Sequence, residues 1–176
     1  MKSFKFFWTT HKWTGLILGL VFLMTAVTGL LLLLKKDYDW IQPPTQVGAP
    51  GGIESFISNQ ELFTIVFSLD HPEFQTLDDI DRVDFRPNKR VFKVRSATFH
   101  EIQVDAVTGE VMSQAYRRSD LLESIHDGSF IAEWFHDWAM PVEAIGLAFL
   151  VCSGVWLWLE PKYRRRRRLK RNSART

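Results

Sequence analysis

Three observations predict an α+β membrane protein with two transmembrane helices flanking a small antiparallel sheet and its covering helix. The first is Trp13–Leu34, which carries no charge over 22 residues; roughly 20 apolar residues cross a bilayer's hydrocarbon core. The second is Pro141–Leu159, again apolar, with one acid, Glu143, near its start. In lipid both must be helices, because every backbone N–H and C=O needs an internal partner. The third is an acidic centre whose apolar residues alternate with polar ones, the mark of strands with one face covered.

Charge sets the orientation. The 176-residue chain has a net charge of +2. Asp37–Met140 holds eight basic and eighteen acidic residues, a net of −10, and the flanks hold fourteen basic and two acidic, a net of +12. Lys and Arg gather on the cytoplasmic side of membrane chains. Both ends are therefore expected inside and the centre outside: an N-in, C-in protein of a bacterial inner membrane with a periplasmic domain. The five-arginine run Arg164–Arg168 abuts a membrane exit, which argues against a nucleic-acid partner. The single cysteine, Cys152, excludes an intrachain disulfide and reads as a packing residue within the second span.

Residues 1–12 are a basic, aromatic cytoplasmic segment suited to the headgroup level. Residues 13–34 read as a retained anchor rather than a cleaved signal, since five leucines follow the small residues around Ala26-Val27-Thr28-Gly29. Gly15 and Gly19 form a GxxxG pair, Gly29 continues the small residues at helical spacing, and Gly154 is their counterpart in the second span. Such residues let another helix approach, whether the second helix or another copy. Residues 35–52 contain Gln42-Pro-Pro-Thr-Gln-Val-Gly-Ala-Pro-Gly-Gly52, too rich in Pro and Gly for a helix interior, and read as a linker.

Residues 53–118 form the expected sheet domain. Ile53–Leu62 reads as a short helix and Phe63–Leu69 as a β-rich run. In Arg90–Ser96, Phe92 and Val94 oppose Lys93 and Arg95; in Phe99–Ala106, Ile102 and Val104 oppose Gln103 and Asp105. Arg82–Arg86 is the preceding strand, Pro87-Asn88-Lys89 a turn, and Gly109 the positive-φ residue of a hairpin before a strand at Val111. Residues 119–140 are expected as a juxtamembrane helix, with Ser119 placed to cap and Leu121, Leu122 and Ile125 on one face. Residues 141–159 are the second span, ended by Glu160-Pro161, and residues 160–176 are the basic cytoplasmic tail.

Four stretches in order carry a resemblance: His11-Lys-Trp-Thr-Gly15-Leu continuing to Thr28-Gly29; Phe85-Arg-Pro-Asn-Lys with Glu101-Ile-Gln-Val-Asp105-Ala-Val-Thr-Gly109-Glu-Val; Arg117-Arg-Ser-Asp-Leu-Leu-Glu-Ser-Ile-His126-Asp-Gly-Ser-Phe; and Ser153-Gly154 to Trp158 before Glu160-Pro161. Together they resemble the PepSY-associated transmembrane-helix family over nearly the whole chain. The resemblance implies a PepSY-like sheet domain outside the membrane. Longer members, with four membrane helices, include heme-containing inner-membrane reductases of ferric siderophores, and PepSY domains elsewhere are associated with restraint of peptidases.

The histidines are the chemical handles. His71 and His100 read as ordinary surface residues. His11 lies at the cytoplasmic mouth of the first span, and His126 and His136 lie just outside the second. Imidazole is a good axial ligand for heme iron, so these three are the candidate cofactor-binding residues, for heme b. His11 and His136 are separated by about 30 Å of membrane, so a homodimer is expected to bring equivalent histidines together at each face. Of the two outer histidines, His136 is favoured for its closeness to the helix start. Catalytic triads, P-loops and zinc motifs are absent from the sequence. The expected function is a heme-binding accessory or subunit in periplasmic-side redox, such as ferric-siderophore reduction and iron uptake. The alternative is a non-enzymatic anchored PepSY module that restrains a periplasmic partner such as a peptidase.

Overall fold

The computed structural model describes residues 2–173. Met1 and Ala174–Thr176, outermost in the expected N-terminal segment and basic tail, lie outside the described residues. The chain divides into a helical unit, up to Gly29 and from Ser124 onward, and a sheet unit, Leu30–Glu123.

In the helical unit, helix α1 spans Lys2–Leu33 and helix α4 spans Glu133–Ser173. Both contain windows long and apolar enough to cross a membrane. Their outward residues, among them Leu16, Ile17, Leu20, Ile145 and Leu147, are exposed leucines and isoleucines; an apolar surface of this kind needs lipid around it. The two helices run antiparallel: Phe7 packs on Trp156, Gly15 lies beside Leu150, and Leu18 lies beside Gly146.

Both helices extend beyond their expected bounds. The N-terminal aromatic segment is the first part of α1 rather than a separate piece. Glu160-Pro161 does not end α4, which runs through both Pro141 and Pro161. Each proline forfeits one backbone hydrogen bond. Past Pro161, Arg164 donates to Glu160 one turn back at 2.6 Å, and Lys162 and Arg167 sit over the rings of Trp158 and Tyr163.

In the sheet unit, strands β1 (Ile80–Arg86), β2 (Val91–Ser96), β3 (His100–Asp105) and β4 (Val111–Tyr116) form an antiparallel meander in sequence order. Gly109 adopts the expected positive φ in the β3–β4 turn, and Asp105 Oδ1 accepts the Val107 and Thr108 amides there. Helix α2 (Asn59–Ser68) covers one face, burying Leu62 and Val66 against Phe92, Val94, Ile102 and Val104.

Residues Phe63–Ser68 are therefore helical, with Leu69 as the C-cap, and not a β-rich run. The reason lies just upstream. Ser58 and Glu61 form a capping box, in which the Ser58 amide donates to Glu61 Oε2 at 2.7 Å and Ser58 Oγ accepts from the Glu61 amide at 3.2 Å. Once started there, the helix puts Leu62 and Val66 on one face at i and i+4.

The other face of the sheet is polar and is buried too. Lys93, Arg95, Glu101, Gln103 and Asp105 all belong to it and all are buried. The expected linker covers them. Ile41 and Gly48 are buried, the Gln46 amide donates to Gln103 Oε1 at 2.8 Å, and the Ala49 amide donates to Asp105 Oδ2 at 2.7 Å. Residues 41–49 are thus a strap across the sheet rather than a free linker. Helix α3 (Arg118–Asp127) follows β4. Ser119 lies inside its first turn and does not cap it; its amide donates to the Ile41 carbonyl, tying strap to helix.

Candidate functional site

The helical unit holds two matching contacts, one near each end of its helix pair. Thr28 on α1 donates its hydroxyl proton to the Met24 carbonyl at 2.8 Å. Thr28 Oγ1 also lies 2.9 Å from His126 Nδ1; with its proton committed, the hydroxyl is placed to accept from the Nδ1–H tautomer of that ring. The ring's Cε1 edge fits over Gly29, where a Cβ would lie 3.2 Å from it.

At the other end a similar arrangement recurs, with the hydroxyl–glycine pair on α4 and the histidine on α1; His126 at the first end belongs to α3. His11 Nδ1 lies 2.8 Å from Ser153 Oγ on α4, and the His11 ring edge fits over Gly154, 3.4 Å from where a Cβ would be. Ser153 Oγ also reaches the Leu150 carbonyl, at 3.3 Å. Each end thus has a hydroxyl–glycine dipeptide holding a histidine from another segment. The holding group fixes ring orientation and, in the Nδ1–H tautomer, leaves the Nε2 lone pair for another use. Among the described residues neither Nε2 has a hydrogen-bond partner. His11 and Thr28 are 17 positions apart on one helix, about 25 Å at 1.5 Å per residue, so the two histidines serve separate sites.

His136 is placed differently. Its Nδ1 lies 3.0 Å from the Asp127 carbonyl oxygen and 3.8 Å from the Asp127 carboxylate. Its side chain is 44% exposed and binds the turn before its own helix. A Cβ at Gly15 would touch Leu150, and one at Gly19 would meet no other segment within 4 Å among the described residues. Gly146, not singled out in the sequence, receives the Leu18 side chain. Glu143 is buried in the second span and makes no ion pair with a described residue. Cys152 is exposed rather than packed.

In the sheet unit, His71 and His100 are not isolated surface residues: their rings lie 5.5 Å apart, with His71 on Phe74 and His100 on Tyr116. Among the described residues no group of three or more His, Cys, Asp or Glu is arranged to hold a metal ion. On the polar face Glu101 is shared by three cations. Arg117 approaches it at 2.7 Å, Lys93 at 3.3 Å and Arg95 at 3.4 Å. Asp120 meets Arg117 at 2.9 Å and Arg95 at 3.7 Å. Burial pulls the Lys93 amine below its usual range, against the opposing charge of Glu101. Burial alone would push the Asp120 carboxyl up; the Arg117 hydrogen bond and the Arg117 and Arg95 charges overcome it and hold it down.

The family model of the PepSY-associated TM region matches residues 8–176. The chain belongs to the PepSY-associated TM region family. No curated protein and no solved structure matches it. As a member of the PepSY-associated family the chain is a membrane protein whose helices carry the two histidine contacts. Thr28-Gly29 and Ser153-Gly154 stand out in the sequence as short hydroxyl–glycine pairs, but which histidine each one holds depends on the antiparallel pairing of the helices.

Proposed function

We propose that this PepSY-associated protein is a heme-binding subunit of an inner-membrane redox system acting on the periplasmic side, as in reduction of ferric chelates for iron uptake. The observation that carries the reading is the pair of anchored histidines, His11 and His126, near opposite ends of the helix pair. A histidine whose Nδ1 is held by a neighbour and whose Nε2 keeps its lone pair has the donor set that heme iron takes. The residues present therefore fit the group, with His11 as the inner ligand and His126 as the outer one. Bound heme supplies one-electron transfer at each end. The protein's part is to fix the rings with Ser153 and Thr28, and to keep the Gly154 and Gly29 notches open beneath them.

A second histidine at each end would complete the set of residues that could hold such a group. The sequence has five histidines, and none besides His11 belongs to the inner end. A homodimer would supply the second His11.

The experiment is an absorption spectrum of the full chain purified from heme-replete cells. A Soret band is expected, with His11→Ala and His126→Ala each removing about half of the heme and His136→Ala removing less. A colourless wild-type protein with intact secondary structure overturns the reading. The self-contained sheet unit, with its own core, would then favour an anchored module that restrains a periplasmic partner.

The proposed topology is N-in and C-in, supported by the basic flanks and the −10 centre. A periplasm-active reporter is expected to work when fused at Gly109 and to fail at Thr176. The opposite pattern places the sheet unit in the cytoplasm.

A further inference from the structure

The sheet unit holds a cavity of about 610 Å³ on the polar side of the sheet. Its lining is at odds with the charge of the segment around it. Of the eight basic residues in Asp37–Met140, five line the cavity: Arg86, Lys89, Lys93, Arg95 and Arg117. Of the described acidic side chains in the same segment, Glu123 alone does. Lys35 and Lys36, which follow the end of α1, complete the wall.

Two tiers of cations are distinguishable. Lys93, Arg95 and Arg117 are buried at the base, and their charge is met by Glu101, Asp120 and Asp84. Lys35, Lys36, Arg86 and Lys89 make no ion pair with any described residue. Lys89 reaches only a carbonyl, that of Thr45, at 3.2 Å. Four cations converging on a concave site against one acid, Glu123, focus a positive potential there. The volume falls within the range of small-molecule sites, roughly 300–1,000 Å³.

We propose that this cavity is a binding site for a polyanion carrying two or more phosphate or carboxylate groups. Arginine's planar fork suits both groups bidentately, and the lysines act as point charges. The ligand chemistry has two possible sources, a free small anion or the headgroup of an anionic lipid. Lys35 and Lys36 lie two and three residues beyond Leu33, the last residue of α1, which brings the wall within about 10 Å of chain from the membrane-spanning helix. The inference is independent of the heme reading, because it uses no residue of the histidine sites.

The test uses the full chain in nanodiscs of phosphatidylcholine alone or with cardiolipin, whose headgroup carries two phosphates, titrated with pyrophosphate and with citrate. The variant is K36E with R86E; both side chains are exposed and lie outside the buried ion network. Arg82→Gln, exposed and outside the lining, is the control. A free anion as ligand gives saturable, salt-sensitive calorimetric binding in phosphatidylcholine discs that falls at least tenfold in K36E/R86E and is unchanged in Arg82→Gln. A lipid headgroup as ligand instead gives cardiolipin-dependent thermal stabilisation that the double variant loses and the control keeps. If neither probe binds and the melting temperature of K36E/R86E tracks that of the wild type in both disc types, the site does not exist.

Discussion

Glu101→Ala is expected to destabilise the sheet unit by about 3–5 kcal/mol, the usual cost of removing one partner from a buried ion pair. Glu101 is 1% exposed. Among the described residues it is the one carboxylate that meets Lys93, Arg95 and Arg117 together, and its Oε1 also accepts from Gln103 Nε2 at 2.8 Å. Asp120 and Asp84 remain for the arginines in the variant, but Lys93 keeps no acid. The loss should show in denaturant melts of the full chain in detergent, followed through the sheet signal.

The pH dependence carries the signature of Lys93. Its folded value already lies below the ordinary 10.5 through burial, and without Glu101 it must fall further. In the window between the folded and unfolded values the unfolded state binds the extra proton, so stability rises with pH. The deficit of Glu101→Ala should therefore shrink on the alkaline side. On the acid side Asp120, held below 3.8 by Arg117 and Arg95 against its burial, contributes stability above about pH 4 that drains away as pH falls through its folded value. A deficit below about 1 kcal/mol, or one flat across the alkaline range, means that Glu101 does not organise the network.

The membrane helices and the sheet strands were legible because their signals are local. A run of leucines has one meaning in lipid, and Phe92 and Val94 alternating with Lys93 and Arg95 state a strand and its two faces. What alternation does not state is whether the polar face meets water. Lys93, Gln103 and Asp105 look like solvated residues until the strap and α3 are laid over them, and that is a tertiary fact. The Ser58–Glu61 capping box was readable in the sequence as Ser-x-x-Glu, and it outweighs the β-branched content of Phe63–Leu69. The histidine sites were half legible. His11 and His126 stood out as juxtamembrane imidazoles, but the preference for His136 followed distance along the chain. The Thr28–His126 contact spans 98 positions and belongs to the tertiary fold, so no local pattern states it.

Gly48→Ala is expected to detach the strap and to cost on the order of 3 kcal/mol. Gly48 is buried, and its backbone rests against the sheet: a Cβ there would run into the Arg90 carbonyl oxygen and lie 2.9 Å from Asp105 Oδ1. Neither obstacle has room to yield. The Arg90 carbonyl accepts from the Ala106 amide at 2.9 Å, and the Asp105 carboxylate is held by three backbone amides. Overpacking of this kind costs about 1–3 kcal/mol. Lifting the strap also breaks the bonds from the Gly48 amide to the Lys89 carbonyl and from the Gln46 and Ala49 amides to Gln103 and Asp105, at about 1 kcal/mol each. Gly52→Ala is the control, since the nearest atoms its Cβ would meet belong to the flexible Glu54 carboxylate. Amide exchange should accelerate at residues 46–49 in Gly48→Ala and stay slow in Gly52→Ala. Equal exchange and equal melting temperatures in the two variants would show that residues 41–49 are a passive linker, and that the polar face is stable without them.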